Sequence, residues 1–157
     1  TIQSRGLGDV YKRQNIISTL KDFGVQPILI GDGDVSGGLK AAEGSVDLLY
    51  GIGAAPEGVI TATAVKAMGG FFEGRLHFMD ESFKERALKM LGSDINNLWS
   101  ADDLCKSTDS FFIASGVCSG WIPGVKFDGN KAEVTSKIIF GDSSETQIII
   151  NEYILGE

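Results

Sequence analysis

The sequence predicts an α/β fold, and three observations predict it. Two short apolar runs, Pro27-Ile28-Leu29-Ile30 and Val46-Asp47-Leu48-Leu49, have the composition of strands covered on both faces. Each passes through a glycine-rich turn into a helical pattern: Gly31-Asp32-Gly33-Asp34-Val35 after the first, Tyr50-Gly51-Ile52-Gly53-Ala54-Ala55-Pro56-Glu57-Gly58 after the second. The last part of the chain changes character, with β-rich runs at residues 132–140 and 146–155 split by the turn signal Gly141-Asp142-Ser143-Ser144.

In chain order, residues 1–14 read differently from the rest. They carry Gly6, Gly8, Arg5, Lys12 and Arg13 without a clear apolar period, and are expected to be a non-native leader. An amphipathic helix is expected over residues 15–23, closed by Gly24 as its C-terminal stop. The strand at residues 26–30, its turn, and a glycine- and alanine-rich segment ending near Glu43-Gly44 come next. Residues 57–68 read as a helix of small residues ended by Gly69-Gly70. Residues 71–79 read as a strand bent at Gly74. Asp80 is a suitable N-cap for a helix over residues 81–91, with Gly92 ending it. A short strand and turn are expected around Trp99, and a buried strand over residues 110–117.

With 157 residues and 43% apolar side chains the chain suits one domain with a real core, or a piece of a larger one. No run approaches the roughly 18 apolar residues of a membrane span, and no secretory signal pattern is present, so a cytoplasmic protein is expected. The net charge of −7 argues against nucleic acid or an anionic membrane as partner, since either needs a basic face. It does not exclude a phosphorylated small molecule if a metal carries the positive charge. Cys105 and Cys118 have no metal-ligand spacing and read as two buried thiols.

The two glycine turns carry the chemistry. Gly51 and Gly53 let the backbone turn sharply and leave no side chain between it and a ligand, while Pro56 fits a first helical turn, where its missing N–H costs nothing. Glu57 is thereby placed at the mouth of the loop, to complement the positive helix end or to face a hard divalent cation. If both strands belong to one parallel sheet, their loops share its carboxyl edge, and Asp32, Asp34 and Glu57 converge there. Carboxylates two residues apart in an extended turn suit adjacent sugar hydroxyls or a metal.

Other motifs can be half-read here. Each turn begins like a dinucleotide fingerprint, yet Ser36 and Pro56 stand where the third glycine belongs. Asp32, Asp34, Ser36, Gly37, Leu39 and Glu43 match an EF-hand calcium loop, but that loop needs a helix before it, and the β-type run containing Pro27 counts against one. The bland alternative is that the glycines and proline only shape a tight connection, with Glu57 solvated.

The strings Ile30-Gly31-Asp32-Gly33-Asp34-Val35, Asp47-Leu48-Leu49-Tyr50-Gly51-Ile52-Gly53-Ala54-Ala55-Pro56-Glu57-Gly58-Val59, Gly69-Gly70, Gly74-Arg75-Leu76 and Ser107-Thr108-Asp109-Ser110-Phe111-Phe112-Ile113-Ala114-Ser115-Gly116 together resemble the class II (GlpX-type) fructose-1,6-bisphosphatases. The likeness covers residues 15–157. It implies a layered α/β sandwich of the sugar-phosphatase type, shared with inositol monophosphatases, of which residues 15–157 are the C-terminal part. It implies hydrolysis of the 1-phosphate of fructose 1,6-bisphosphate in gluconeogenesis with Mn2+ or Mg2+, and sedoheptulose 1,7-bisphosphate as a further substrate in some members. By position, Asp32, Gly33, Asp34 and Ala54 contact the sugar bisphosphate and Glu57 is a metal ligand. Ala54 stands where the family pattern has glycine, a change that a backbone contact survives. The family's other metal ligands and the group orienting the attacking water lie in an N-terminal half with no counterpart here. The resemblance thus implies that this chain is inactive alone and that the full-length protein is a homo-oligomer. The alternative from another class is a noncatalytic module binding sugar phosphate or a divalent cation.

Overall fold

The chain is helical from Leu7 to Asp22 (α1), with Ile16, Ile17 and Leu20 the apolar residues of its second half. It leaves α1 through Gly24 at φ 75°, with the Gly24 N–H on the Lys21 carbonyl and the Val25 N–H on the Leu20 carbonyl, both at 2.9 Å. A left-handed residue after the last turn is the stop expected there. The computed structural model describes residues 2–3, 7–143 and 145–156. Residues 1 and 4–6 of the expected leader, and Ser144 of the expected turn, lie outside the described residues. The helix expected from Asn15 therefore begins earlier, within the stretch read as a leader. Ile2–Gln3 (β1) pairs in parallel with Leu29–Ile30 (β2), Ile2 opposite Leu29.

The parallel-sheet expectation needs correction. The strand at residues 26–30 is reduced to β2, and residues 46–49 are irregular, leading to one bridged residue, Tyr50. Strand length is set by pairing as well as by apolar composition, and among the described residues only Leu29–Ile30 of these two runs forms a strand. Leu48 is 63% exposed. The two glycine turns are brought together instead by the helices they open, Asp34–Ala42 (α2) and Ala55–Ala67 (α3).

Those two helices pack closely because their facing residues are small. Gly37, Gly38 and Leu39 are buried on α2, and Thr61, Ala62, Ala64, Val65 and Ala67 on α3. A Cβ on Gly38 would run into the Thr61 methyl, and one on Gly37 would stand 3.1 Å from Leu49 Cδ1 and 3.3 Å from Ile30 Cδ1. At the far end of α3, Lys66 Nζ donates to the Cys105 carbonyl (2.6 Å) and pairs with Asp102 (2.9 Å).

Of the strand expected over residues 71–79, only Glu73–Gly74 (β3) forms, antiparallel to Trp99–Ser100 (β4). Between them the helix Glu81–Leu91 (α4) matches its expectation at both ends: Asp80 Oδ1 accepts the Phe83 N–H (3.1 Å), and Gly92 ends it at φ 58°. A short helix, Ala101–Leu104 (α5), follows β4 where only a turn was expected. Its capping box is complete: Ser100 Oγ accepts the Asp103 N–H, and Asp103 accepts the Ser100 N–H.

The later chain forms a four-stranded antiparallel sheet. Its centre is Lys131–Phe140 (β7), flanked by Thr146–Ile154 (β8) on one side and by Phe111–Ser115 (β5) and Lys126–Asp128 (β6) on the other. The β7–β8 hairpin was legible; β6 was not. Helix α3 packs on β5 and β7, and Ile139 and Thr135 of β7 are buried. Strand β5, expected to be buried, alternates: Phe111 and Ile113 point outward, 61% and 53% exposed, while Phe112 and Ala114 face inward. Period-two alternation is what one covered face imposes. The two cysteines are free thiols, Cys105 half-buried and Cys118 exposed, which corrects the buried reading of both. Among the described residues no helix is long and apolar enough to cross a membrane.

One polar cluster ties α2 to this sheet. Glu43, just past α2, accepts from Trp121 Nε1 (2.7 Å) and Ser45 Oγ (2.8 Å), and Lys137 of β7 lies 3.6 Å from the same carboxylate. Lys137 Nζ sits 4.1 Å over the Trp121 ring, and Phe112 meets that ring edge-on at 6.4 Å. Partial burial works to raise the Glu43 pKa, but the Trp121 and Ser45 donors and the Lys137 charge outweigh it and hold the carboxyl below its ordinary range.

Two outcomes follow from this packing. Gly38→Ala is expected to destabilise the chain by about 1–3 kcal/mol in urea unfolding, and Thr61→Ser, which deletes the obstructing methyl, should recover most of that in the double variant; additive losses would refute the contact. For Glu43, a lowered folded-state pKa means stability fully present above the unfolded value and lost as pH falls through the folded one. The melting-temperature gap between the unchanged chain and Glu43→Gln should be constant near neutral pH and shrink below about pH 4.5; a gap that widens on acidification contradicts the assignment.

Candidate functional site

The first turn is built around Gly33, whose φ of 89° lies in the left-handed region that favours glycine, and which immediately precedes α2. Asp32 is exposed and its Oδ1 accepts the Gly33 N–H at 2.9 Å, an Asx-type contact within the turn itself. Asp34 is the first residue of α2 and half-buried, at the helix end where a carboxylate complements the dipole.

The second turn ends at Ala54, the extended N-cap of α3 (φ −71°, ψ 147°), with Pro56 in the first helical turn and Glu57 three residues past the cap. Glu57 Oε2 reaches back to the Ala54 N–H at 3.2 Å. This is half of a capping box, because alanine has no side-chain acceptor to return the bond. The Glu57 carbonyl accepts Thr61 Oγ1 at 2.8 Å, so the residue that meets Gly38 is also bonded to the backbone of Glu57.

The turns meet at Gly53. A Cβ there would stand 2.6 Å from Asp34 Oδ2 and 3.5 Å from Glu57 Oε2. Two half-buried carboxylates from different helices thus lie against one glycine, each at the positive end of its helix. Asp34 and Glu57 are brought together as the sequence predicted, though by helix packing and not at the edge of a parallel sheet. Asp32 is next to them in the chain, and its Oδ1 accepts the Gly33 N–H within its own turn. Gly33 and Ala54 lie in the two connections, the N–H of each on a carboxylate of its own loop. Gly53, which the sequence singled out only for keeping the backbone bare, is the residue whose missing side chain makes room for the Asp34 carboxylate, with Glu57 at contact distance on the same residue.

Oxygen donors around a cradle that a Cβ would fill fit a hard divalent cation such as Mg2+ or Mn2+. Two carboxylates are a partial donor set, and among the described residues no group of three or more histidine, cysteine, aspartate and glutamate side chains is arranged to hold an ion. Gly120 borders the same region, since a Cβ on it would stand 3.6 Å from Ser36 Oγ, in the first turn of α2. That neighbour was not foreseen: Gly116 to Gly124 carries only ordinary loop composition.

The family model described as bacterial fructose-1,6-bisphosphatase, glpX-encoded, matches residues 9–153. A protein of Trichodesmium erythraeum named D-fructose 1,6-bisphosphatase class 2/sedoheptulose 1,7-bisphosphatase is 32% identical over 93% of this chain and 47% of its own length. Its namesake in Trichormus variabilis is also 32% identical over the same shares. A second such protein, in Acaryochloris marina, is 33% identical over 88% of this chain and 44% of its own. The chain spans about half the length of the curated relatives it matches.

Gly53→Ala tests the cradle. A methyl 2.6 Å from a carboxylate oxygen forces Asp34 or the turn aside, so proton chemical shifts in the turns at residues 31–35 and 50–58 should move together while the β7–β8 hairpin stays unperturbed. Shifts confined to position 53 would show that the two turns do not share this space.

Proposed function

The chain belongs to the GlpX-type bacterial fructose-1,6-bisphosphatase family, and from that premise we propose that it supplies one part of the active site of a metal-dependent sugar bisphosphatase. The observation carrying this reading is the meeting of Asp34 and Glu57 at Gly53. The whole protein would convert fructose 1,6-bisphosphate to fructose 6-phosphate by releasing the 1-phosphate. The relatives' names, which include sedoheptulose 1,7-bisphosphatase, support that sugar as a second substrate of the same proposal.

Within this reading Glu57 is the metal ligand, with Asp34 beside it, and Mn2+ or Mg2+ is the ion. Glu57 and Asp34 would hold part of such an ion's coordination, and the chemistry it would supply is neutralisation of phosphoryl charge and acidification of a water. The residues of this chain hold and orient. Asp32 and Asp34 accept hydrogen bonds from sugar hydroxyls, a role acceptor-only carboxylates fill well. Gly33 and Ala54 keep their backbones open to the ligand, as neither carries a side chain beyond a methyl. The first turns of α2 and α3 point their positive ends into the same region, which favours the anionic ends of the substrate once the acids are engaged.

Two carboxylates cannot by themselves hold the ions that phosphate-ester hydrolysis requires, so the isolated chain is proposed to hydrolyse little. Further donors would come from the other half of a full-length protein. The layered sugar-phosphatase sandwich belongs to the same proposal, with the β5–β8 sheet and α3 as two of its layers, as does a homo-oligomeric, cytoplasmic whole protein.

Phosphate release from fructose 1,6-bisphosphate with Mn2+ tests the reading when the chain is combined with the N-terminal half of the Trichodesmium relative. Activity should require both pieces, and strong turnover by this chain alone would refute the division of ligands. Calorimetry on the chain should find sugar bisphosphate bound more tightly with Mn2+ than without, and Glu57→Gln should abolish that difference while changing the melting temperature little. Metal-assisted binding that survives Glu57→Gln would remove Glu57 from the role.

A further inference from the structure

The stretch Gly116 to Gly124 supplies no acid to the site and only borders it at Gly120, yet it is a tightly closed loop. The Gly116 N–H donates to the Thr135 carbonyl of β7 (2.9 Å), Val125 N–H to the Val117 carbonyl (3.2 Å), and Gly120 N–H to the Ile122 carbonyl (3.1 Å). Its stems touch backbone to backbone: a Cβ on Gly116 would collide with the Pro123 carbonyl, and one on Gly124 would stand 2.6 Å from the Ser119 nitrogen. A loop so closed is a preformed body fixed to the sheet.

This body touches α2 at both ends. Gly120 lies against Ser36, two residues beyond Asp34, and the next residue, Trp121, donates its indole N–H to Glu43 just past the last turn (2.7 Å). The indole is itself held by Lys137 of β7 above its ring and Phe112 of β5 at its edge. The rigid sheet therefore reaches across to grip the helix whose first residue stands opposite Glu57.

We propose that residues 116–124 form a third wall of the site and that Trp121 is a positioning residue, pinning α2 to the sheet so that Asp34 keeps its place beside Gly53 and Glu57. The inference rests on the reading of Asp34 and Glu57 as site residues. It adds that their spacing is set from β5 and β7, through an indole bonded at the opposite end of α2. Trp121 acts on the site through its bond to Glu43 at the far end of α2.

Hydrogen exchange and calorimetry on the full chain test this with Trp121→Phe, which keeps the ring and deletes the donor, and with Glu43→Leu and Glu43→Gln. Losing a hydrogen bond to a charged acceptor should raise amide exchange at residues 35–39 about tenfold in Trp121→Phe and Glu43→Leu. The amides of β7 should be unchanged, and affinity for fructose 1,6-bisphosphate in the presence of Mn2+ should fall by a similar factor. Glu43→Gln, which retains an acceptor for the indole, should stay within about threefold of the unchanged chain. Exchange that rises equally in β7 and β8 would mean general destabilisation and overturn the proposal. So would faster exchange at residues 35–39 with undiminished affinity. If the unchanged chain binds no sugar bisphosphate, or Asp34→Asn and Glu57→Gln leave binding untouched, the site reading fails and this inference falls with it. If those two variants weaken binding and Trp121→Phe does not, only the inference falls.

Discussion

Everything at the site depends on how near α2 can come to α3. The approach is a matter of missing atoms: at Gly38 there is no Cβ to meet the Thr61 methyl, and at Gly53 none to meet the Asp34 carboxylate. Interiors are close-packed, so a methyl too many at a contact is absorbed by displacement and not by slack. A displacement of α2 along α3 would carry Asp34 away from Glu57, because each acid sits in the first turn of its helix. Thr61 couples the two effects, since its methyl faces Gly38 and its hydroxyl bonds the Glu57 carbonyl. Packing and chemistry are therefore set by the same few atoms.

Bringing two carboxylates together has an electrostatic cost that the fold meets locally. Each lies where backbone N–H groups are unpaired and the helix end is positive, an arrangement that stabilises an anion by about 0.3–1 kcal/mol at an exposed helix end. Glu57 gains one of those donors directly, the Ala54 N–H. The compensation is partial by nature, and a divalent cation between the acids would complete it, which is the physical reason for reading them as metal and sugar contacts instead of as caps alone. Glu43 shows the contrasting case. There a carboxylate is fully matched by Trp121, Ser45 and Lys137, and its role is mechanical.

How much of this was legible in the sequence depends on how local the determining physics is. The helix from Glu81 to Leu91 was readable at both ends because Asp80 and Gly92 carry their capping chemistry in their own side chains or lack of them. The β7–β8 hairpin was readable from two β-rich runs around a turn signal. The strands at residues 26–30, 46–49 and 71–79 were overread, because strand length is fixed by a partner the local sequence does not contain. Strand β6 was missed for the opposite reason: three residues, Lys126–Asp128, gain their identity from pairing with Lys131–Glu133, although Asp128-Gly129 before a β-rich run was a usable hairpin signal. At the site, the glycine turns led to Asp34 and Glu57, which do lie against one glycine, whereas among the described residues the two apolar runs before those turns do not pair in one parallel sheet. The contact between Trp121 and Glu43 spans 78 residues of chain, and neither residue's neighbours announce the other.

The sheet divides into a part that serves the site and a part that does not. Strands β5 and β7 are packed under α3 and carry Phe112 and Lys137, which hold the Trp121 indole, so their burial and the site's geometry are one mechanical unit. Strand β8 pairs with β7 along nine positions yet is exposed at each of them, with Ile148, Ile150 and Ile154 uncovered. An apolar edge strand of this length is a surface that invites pairing. Its extensive packing is with β7. Covering β8 would thus add burial to the hairpin and stability to β7, and would reach the acids only as far as β7 already holds Lys137 in place. The site's arrangement is consequently a property of the α2, α3, β5 and β7 assembly, and the outer strand contributes to how long that assembly persists more than to what it can bind.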